Sequence, residues 1–312
     1  MRYFVTGGAG FIGSNYVDHL FQNVKEVTGV TIYDKFTYAA NPKNYQEFSD
    51  DPRLAVVKGD ICDVELVNKL AATVDAIINF AAESHVDRSI EDSSEFIRTN
   101  VLGTQVLLDA AKNHKVDRFI QISTDEVYGS ILEGSWDENA PLLPNSPYSA
   151  SKAAADLLAR AYFVTHGLNL CITRCSNNFG PKQDPEKLIP NFILKLNQSV
   201  KVPVYGDGLN IRDWLFVEDH CIGIYLVLTK GIPGEIYNIG GGTELTNLEL
   251  TKKLLSLSKK DENFIDYVPD RLGHDRRYSV DHRKISYLGY KPTVDFDSGL
   301  ETTSDWYLSS RI

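Results

Sequence analysis

Two adjacent acids, Asp125 and Glu126, follow a short and mostly apolar run over residues 118–122. The run predicts a buried parallel strand, so the two acids should lie at its carboxyl end. Open α/β sheets bind their ligands at that end of the strands. Two carboxylates beside the Thr124 hydroxyl could serve as a general acid and a general base. The same residues could also simply end a strand in solvent.

A second candidate for proton transfer is the pair Tyr148 and Lys152. The two residues are four apart in a segment, 148–162, that predicts a long helix, and they would share one face of it. A nearby ammonium group favours the phenolate and would lower the tyrosine pKa from about 10. The same spacing recurs at Tyr287 and Lys291, with a glycine inside it and a proline after it. The spacing alone is therefore weak evidence, and we interpret the second copy as accidental.

A glycine-rich loop lies near the start of the chain. Gly8, Gly10 and Gly13 have the Gly-x-Gly-x-x-Gly spacing, and Gly7 with Gly10 and Gly13 fits a wider one. A β-prone run over 3–6 precedes the loop, and apolar residues at helical spacing over 14–21 follow it. Strand, loop and helix in this order indicate a dinucleotide site, because glycines let the backbone approach a pyrophosphate at a helix N-terminus. The alternative is a glycine turn that binds no ligand.

Asp34 ends the second predicted strand, 27–33, about 20 residues beyond the glycine loop. A carboxylate at this position accepts hydrogen bonds from an adenosine ribose. It would also repel the 2′-phosphate of NADP, which favours NAD as the cofactor. Lys35 could neutralise that charge and weaken the preference.

The elements that must position these residues predict an α/β fold. Further strands are predicted over 54–58, 76–80, 170–174 and 236–239, and crossover helices over 64–72 and 96–113. This order gives a doubly wound parallel sheet with right-handed connections. Loops rich in proline, glycine and charge after residue 175 indicate a smaller, mixed α/β substrate domain. We expect the dinucleotide-binding domain at 1–175 with 214–240 and the substrate domain at 176–213 with 241–312.

Charged residues outside the motifs extend the candidate site. Lys187, Arg212 and Arg271 concentrate positive charge in an acidic chain and would suit a second diphosphate, with a basic surface turn as the alternative. The loop after the fourth strand, where a solvated turn is the alternative, is also charged: Glu83, His85, Asp87 and Arg88.

Composition excludes several function classes. The chain of 312 residues has a net charge of −10, which argues against sequence-independent binding of nucleic acid. No apolar run approaches the roughly 18 residues of a membrane span, and no signal peptide precedes the first strand, so we expect a cytoplasmic protein. The cysteines lack zinc-ligand spacing, and we expect no metal site: Cys62, Cys171, Cys175 and Cys221.

Taken together, these motifs resemble the extended short-chain dehydrogenase/reductases and, within them, the dTDP-glucose 4,6-dehydratase family. The resemblance covers nearly the whole chain and includes residues 6–13, 81–90, 123–129, 146–152, 175–178, 186–190, 212–214 and 270–278. Two departures are visible. Residues 39–41 read Ala-Ala-Asn where the family usually has Ala-Gly-Asn, and the loop over 130–146 is short.

The resemblance implies a set of site residues. The catalytic ones would be Thr124, Asp125, Glu126, Tyr148 and Lys152. NAD would contact Gly7, Gly10, Phe11, Ile12, Gly13, Asp34, Lys35, Thr37, Asp60, Ile61, Ala81, Ala82, Ser84, Thr99, Tyr148, Lys152 and Asn178. A nucleotide sugar would contact His85, Thr124, Asn177, Lys187, Leu188, Pro203, Tyr205, Arg212, Asn247, Arg271 and His274.

The resemblance also implies a reaction and an assembly. The reaction is loss of water across C5 and C6 of the sugar after oxidation at C4, with the hydride returned to C6. Related enzymes usually form homodimers through a four-helix bundle. The same reaction on UDP-glucose, a UDP-sugar 4-epimerase or decarboxylase, and a non-catalytic NAD sensor are the alternatives. Asp125 discriminates among the enzymes, because an epimerase needs no carboxylate pair and the decarboxylase and GDP-mannose 4,6-dehydratase families carry Ser-Glu at these positions.

Overall fold

The computed structural model describes residues 1–270 and 273–309. The strands are β1 (Arg2–Thr6), β2 (Gly29–Asp34), β3 (Leu54–Lys58), β4 (Ala76–Asn79), β5 (Arg118–Thr124), β6 (Leu170–Cys175), β7 (Asn177–Phe179), β8 (Val202–Tyr205), β9 (Ile211–Phe216), β10 (Ile236–Ile239), β11 (Thr243–Thr246) and β12 (Ile265–Val268). The helices are α1 (Phe11–Asn23), α2 (Val64–Ala71), α3 (Val86–Glu91), α4 (Ser94–Phe96), α5 (Thr104–His114), α6 (Pro147–His166), α7 (Leu188–Asn197), α8 (Val217–Lys230), α9 (Asn247–Leu257), α10 (Arg283–Ser286) and α11 (Phe296–Leu308).

Seven parallel strands form the main sheet in the order β3-β2-β1-β4-β5-β6-β10. This is the doubly wound order, and the predicted fold class is confirmed. Every residue of β5 is buried, as the apolar run predicts for a strand covered on both faces. The chain reverses direction across the sheet between β1 and β4, which is where such sheets bind ligands.

Helices cover both faces of this sheet. One apolar cluster joins it to α1 and α8, and a second joins it to α2, α5 and α6. Helix α6 starts at a capping box formed by Ser146 and Ser149, with Pro147 in its first turn, and ends at Gly167 in the left-handed region. These end signals fix where Tyr148 and Lys152 stand on the helix.

The chain after β6 builds a smaller unit. Strands β11, β9 and β7 form one short sheet, and β12 pairs with β8 in another. They surround a third apolar cluster together with α7, α9 and α11. Strand β9 runs across the division predicted between residues 213 and 214. The predicted domain limits stay a prediction.

The sequence pattern does not resolve two local features. The predicted helix over 96–113 is π-helical at Ile97–Gly103 before it continues as α5. The loops predicted after residue 175 are wrong in part, because strand β8 occupies most of the expected loop at 202–208 and β9 covers the one at 211–214, and a short strand, β7, begins one residue beyond β6. Both features shape the site, because Thr99 lies in the π-helical turn and Asn177 and Asn178 begin β7. No helix within 1–270 or 273–309 is long and apolar enough to cross a membrane.

Candidate active site

A cleft of about 630 Å³ lies at the carboxyl ends of the main-sheet strands. Its walls are the loops after β1, β2, β4 and β5 on one side and the segment leading into α7 on the other. Every catalytic, cofactor and sugar residue that the resemblance implies within the described ranges lines this cleft except His274, and of the other candidates Gly8 and Arg88 do not line it. Arg271 lies outside the described residues. The cleft thus joins the glycine loop, the acid pair and the Tyr–Lys pair in one cavity.

The glycine loop lines one part of the cleft. Gly7 has φ +67, and a Cβ on Gly13 would lie 2.4 Å from the Gly7 carbonyl oxygen, so neither position accepts a side chain. Helix α1 begins directly after Gly10, and because glycine has no side chain, no side-chain oxygen at this position accepts from the first N–H groups of the helix. Phe11 and Ile12, the first residues of α1, line the cleft. Helical N–H groups therefore remain available to an anion at this point.

Asp34 links this loop to strand β2. Its carboxylate accepts hydrogen bonds from the amides of Ala9 (3.0 Å) and Phe36 (2.8 Å). Burial raises the pKa of Asp34, and the two amides oppose that shift. A carboxylate has about four acceptor positions, so Asp34 can still accept hydrogen bonds from ribose hydroxyls.

Lys35 does not neutralise Asp34 in this structure. Its ammonium lies 3.1 Å from Asp60 and 3.6 Å from Glu95. Asp60 also accepts hydrogen bonds from the Cys62 amide (2.9 Å) and Arg98 (2.6 Å). Burial favours the neutral form of Asp60, but these donors together with Lys35 lower its pKa below the usual range. The positive charges of Lys35 and Arg98 are thus already paired.

The acid pair lies at the end of β5, as predicted. Asp125 is buried, and its Oδ1 accepts a hydrogen bond from Thr124 at 3.2 Å. Its Oδ2 is buried with no hydrogen-bond partner among the described residues. Burial raises the pKa of Asp125 well above its usual value, and the negative charges of Glu126 and Asp213 raise it further. Asp125 is therefore suited to hold a proton at neutral pH.

Tyr148 and Lys152 face the same cleft from helix α6. The expected lowering of the Tyr148 pKa is wrong for this structure. Burial raises the pKa of Tyr148 well above its usual value, and the neighbouring Glu126 contributes in the same direction. The Lys152 ammonium instead donates to the Ile122 carbonyl oxygen at 2.7 Å. Burial lowers the pKa of Lys152, and the nearby Asp156 opposes that shift.

The far end of the cleft holds the residues predicted for the sugar nucleotide. Arg212 lies 4.4 Å from the Tyr278 ring and donates to the Asp275 carbonyl oxygen at 3.0 Å. Lys187 donates to the Ser84 carbonyl oxygen across the cleft at 3.2 Å. His274 is not part of the lining, and its Nδ1 lies 2.6 Å from Asp270 Oδ1.

The cleft also contains residues that the sequence reasoning missed. Asn191 and Lys195 are four residues apart on α7 and share one face of it, a spacing that the sequence contains, and Lys187 lies just before the helix in extended backbone. Asp184 is a further addition without a local signal, because a distant chain segment brings it to the cleft, whereas Ser176 and Trp214 lie inside the resembling segments 175–178 and 212–214 and Tyr38 follows Thr37.

Comparison with known proteins adds the family. Residues 4–303 match the sequence model of the GDP-mannose 4,6 dehydratase family. The chain belongs to this family. It is 55% identical over 316 residues to a dTDP-glucose 4,6-dehydratase of Actinoplanes sp., covering 100% of this chain and 99% of that protein. It is 54% identical to a dTDP-glucose 4,6-dehydratase of Streptomyces antibioticus, covering 100% and 93%.

Solved structures of dehydratases and epimerases share the fold. The dTDP-glucose 4,6-dehydratase DesIV from Streptomyces venezuelae, with NAD and TYD bound, superposes with a TM-score of 0.98 at 53% identity, covering 100% of this chain and 98% of that one. A UDP-glucose 4-epimerase from Thermotoga maritima, with UDP-glucose, gives a TM-score of 0.91 at 28% identity, with 98% of each chain covered. Because the fold accommodates both enzymes, the side chains must decide between the two reactions.

Proposed function

We propose that this protein catalyses the NAD-dependent dehydration of dTDP-glucose to dTDP-4-keto-6-deoxyglucose. The observation that carries the proposal is the acid pair at the end of β5, with a buried Asp125 that favours the protonated form beside Glu126. An epimerase has no use for such a pair. Full-length relatives above 50% identity that are named dTDP-glucose 4,6-dehydratases support the same choice.

The chemistry explains why both acids are needed. A hexose does not lose water across C5 and C6 readily, because the hydrogen on C5 is not acidic. Oxidation of C4 to a ketone acidifies that hydrogen. A base can then remove it while an acid protonates the departing C6 hydroxyl. The reaction therefore requires one group that accepts a proton and another that donates one, on neighbouring carbons.

The cleft residues suit these roles. As its phenolate, Tyr148 would take the proton of the C4 hydroxyl, with Thr124 as its neighbour. Burial and Glu126 raise the pKa of Tyr148, so the phenolate needs a nearby cation, and the positively charged nicotinamide of bound NAD would supply one in addition to Lys152 on the same helix. Glu126 removes the C5 proton and returns it to C5 after water has left. Asp125 donates its proton to the C6 hydroxyl, and its unpartnered Oδ2 is the atom suited to that donation.

The glycine-loop end of the cleft fits NAD. Bound there, NAD takes the hydride from C4 and gives it back to C6, so it is regenerated in every turnover. The close approach at Gly7 and Gly13 and the free helical N–H groups after Gly10 suit the diphosphate. The Asp34 carboxylate suits an unphosphorylated ribose. The other contacts proposed for NAD are the cleft residues named above: Lys35, Thr37, Asp60, Ile61, Ala81, Ala82, Ser84, Thr99 and Asn178.

The opposite end is proposed to bind the nucleotide sugar. Lys187 and Arg212 supply positive charge to the cleft and suit the sugar diphosphate, and Arg271 is proposed to join them. The remaining contacts proposed here are His85, Asn177, Leu188, Pro203, Tyr205, Asn247 and His274. UDP-glucose remains the alternative substrate.

We further propose a cytoplasmic homodimer that associates through a four-helix bundle. Four large apolar side chains support this assembly, because they are exposed to solvent in the single chain: Ile97 and Leu102 on the π-helical segment before α5, and Leu157 and Val164 on α6. The two-domain division at 1–175 with 214–240 and 176–213 with 241–312 is proposed with it.

Mass spectrometry of the sugar product tests the function. The purified protein, loaded with NAD, is incubated with dTDP-glucose and, separately, with UDP-glucose, without an added oxidant. We expect a product 18 mass units lighter from dTDP-glucose, because one water leaves and no hydride is lost overall. An epimerised sugar of unchanged mass, or a reaction that consumes NAD in proportion to product, would refute the proposal.

A further inference from the structure

One side chain at the outer edge of the cleft joins its two walls. Arg88 of α3 donates through Nη2 to both carboxylate oxygens of Glu186, at 3.0 Å and 2.9 Å. Its guanidinium also lies 3.9 Å from the centre of the Tyr38 ring. Tyr38 and Glu186 line the cleft from opposite sides, whereas Arg88 lies behind them. We call this arrangement the Arg88 bridge.

One end of the Arg88 bridge lies beside the glycine loop. The segment that follows Tyr38 packs on the glycine loop through the Asn41 amide (3.1 Å) and the Asn44 side chain (2.9 Å), which both donate to the Ala9 carbonyl oxygen. A Cβ on Gly10 would lie 4.0 Å from the Ala39 carbonyl oxygen. Tyr38 therefore stands next to the surface that suits the cofactor diphosphate.

The opposite end of the bridge belongs to the other wall. Glu186 precedes α7, and its Oε2 also lies 3.5 Å from His85 Nε2. The next residue, Lys187, reaches back to the Ser84 carbonyl oxygen. The segment entering α7 is thus tied to the loop after β4 at consecutive positions. A dinucleotide lying along the glycine loop could leave toward this side only if these contacts opened.

The proposed reaction gives such a closure a purpose. The hydride taken from C4 must return to C6 of the same sugar molecule. If the reduced cofactor left between the two transfers, the oxidised sugar would have no hydride to accept and the enzyme would be left without its cofactor. Retention of the cofactor through the whole turnover is therefore a requirement of this chemistry, separate from the proton transfers.

We propose that Arg88 is a positioning residue that retains the cofactor by holding Tyr38 and Glu186 together across the cleft. The inference rests on the proposed function for the identity of the cofactor. A guanidinium can donate to a carboxylate and lie over an aromatic ring at once, and here a single nitrogen, Nη2, donates to both oxygens of Glu186. The side chains of Arg88 and Glu186 are 40% and 51% exposed, so the bridge is a weak contact that salt can screen.

The chain offers a matched control for the test. Arg53 pairs with Asp51 through Nε and Nη2, at 3.0 Å and 2.7 Å, and lies 4.9 Å from the Phe21 ring centre. It reproduces the chemistry of the bridge, yet none of these three residues lines the cleft. Arg53→Met and Arg88→Met therefore remove the same kind of contact at two places, and the two effects can be compared directly.

Cofactor release is measured without substrate. Each full-length protein is loaded with NADH and mixed with excess NAD in a stopped-flow instrument, and the loss of NADH fluorescence gives the dissociation rate. We expect release from Arg88→Met to be faster by on the order of threefold to tenfold, and release from Arg53→Met to equal that of the wild type. Glu186→Gln should behave like Arg88→Met, and it carries the test if Arg88→Met does not fold.

Salt provides an independent readout. Raising the ionic strength should accelerate release from the wild type and from Arg53→Met but should change Arg88→Met little, since its bridge is already absent. Equal release rates for all variants would overturn the inference. So would an unchanged release rate with weaker binding of dTDP-glucose, because the bridge would then serve the sugar. The same preparations are assayed for product: product without a change in release rejects only this inference, whereas absence of dehydrated product from the wild type rejects the proposed function.

Discussion

Two groups of ionisable side chains at the cleft differ in burial and in pairing. We call the buried residues Asp125, Tyr148 and Lys152 the floor, and the paired residues nearer solvent, Asp60 and the Arg88 bridge, the rim. On the floor, burial moves Asp125, Tyr148 and Lys152 toward their neutral forms, since it raises the pKa of the two acids and lowers that of the lysine. On the rim, Asp60 is paired with Arg98 and Lys35, which lower its pKa. The Arg88 bridge is likewise a paired contact near solvent.

The difference separates chemistry from binding. Burial shifts the pKa of a group away from its usual value, and for Asp125 the shift favours the protonated form that can donate a proton at neutral pH. A group that is paired keeps its charge and can hold a ligand or close a wall. Burying the floor residues costs free energy of folding, whereas the paired residues of the rim do not carry that cost. Substitutions on the floor should therefore change the proton-transfer steps, and substitutions on the rim should change ligand binding. The pH dependence of folding stability should have opposite signs at the two places.

The largest expected effects concern the two acids of the floor. Glu126→Gln keeps the size of the side chain but cannot accept the C5 proton. Oxidation at C4 should still occur, so enzyme-bound NADH should accumulate while exchange of the C5 hydrogen with solvent deuterium nearly vanishes. NADH absorbance and NMR of the recovered sugar measure the two quantities.

Asp125→Asn should fail at a different step. The base at Glu126 remains, so C5 exchange should survive, whereas water loss slows by roughly 10² to 10⁴, the usual worth of one positioned acid. If exchange is lost in Asp125→Asn and kept in Glu126→Gln, the two roles are assigned the wrong way round. Equal exchange in both variants would show that neither acid is the C5 base.

A smaller effect is expected at the sugar-nucleotide end. Arg212→Ala removes a charged group that lines the cleft, and substrate binding should weaken by about 1.5 to 3 kcal/mol, the range for hydrogen bonds to charged groups. Bound NAD should be unaffected if Arg212 serves the sugar diphosphate, because Arg212 belongs to β9 of the smaller unit and not to the glycine loop. Calorimetric titration with dTDP-glucose and assay of retained NAD measure both. Loss of NAD would place Arg212 at the wrong end of the cleft.

Some features of the cleft can be predicted from the sequence and others cannot, and the difference has a physical reason. The glycine loop and Asp34 are predictable because strand, loop and helix are contiguous and their backbone geometry determines the residues. The position of Tyr148 and Lys152 is equally local, since one helix carries both. The pKa of Tyr148 is not, because it depends on burial and on Glu126, which another strand brings near.

The same distinction explains the other differences from prediction. Apolar spacing does not separate an α-helix from the π-helical turn that holds Thr99, because the two have similar periods. His274 was expected at the sugar on resemblance alone, yet it pairs with Asp270 outside the cleft lining. Contacts between distant segments, such as that of Arg88 with Glu186 across the cleft, cannot be predicted from the spacing of residues in the sequence.

The choice between NAD and NADP tests whether the positive charge of Lys35 is fully paired. Lys35 is held by Asp60 and Glu95, so it should not offset the charge of Asp34 against a 2′-phosphate. Protein stripped of cofactor should regain activity with NAD and bind NADP more weakly by at least about tenfold. Titration of the stripped protein with each cofactor gives the ratio. Equal affinities would mean that a base on the rim accommodates the phosphate.

The last prediction concerns folding stability, where floor and rim should respond to pH with opposite signs. Asp125 has a raised pKa in the fold, so between its unfolded pKa of about 3.9 and its folded value the native state binds more protons than the unfolded state, and stability falls as pH rises. Asp125→Asn lacks this loss. The difference in free energy of unfolding between Asp125→Asn and the wild type should therefore grow in favour of the variant from pH 5 to 8, by up to about 1.4 kcal/mol per pH unit.

Asp60 has a lowered pKa, so its contribution to folding stability is present above about pH 3.9 and disappears as the pH falls. Asp60→Asn should be less stable than the wild type at pH 7, and that deficit should shrink in acid. Urea unfolding of the three proteins across this pH range measures both slopes, and parallel pH profiles for Asp125→Asn and the wild type would show that Asp125 ionises freely in the folded protein.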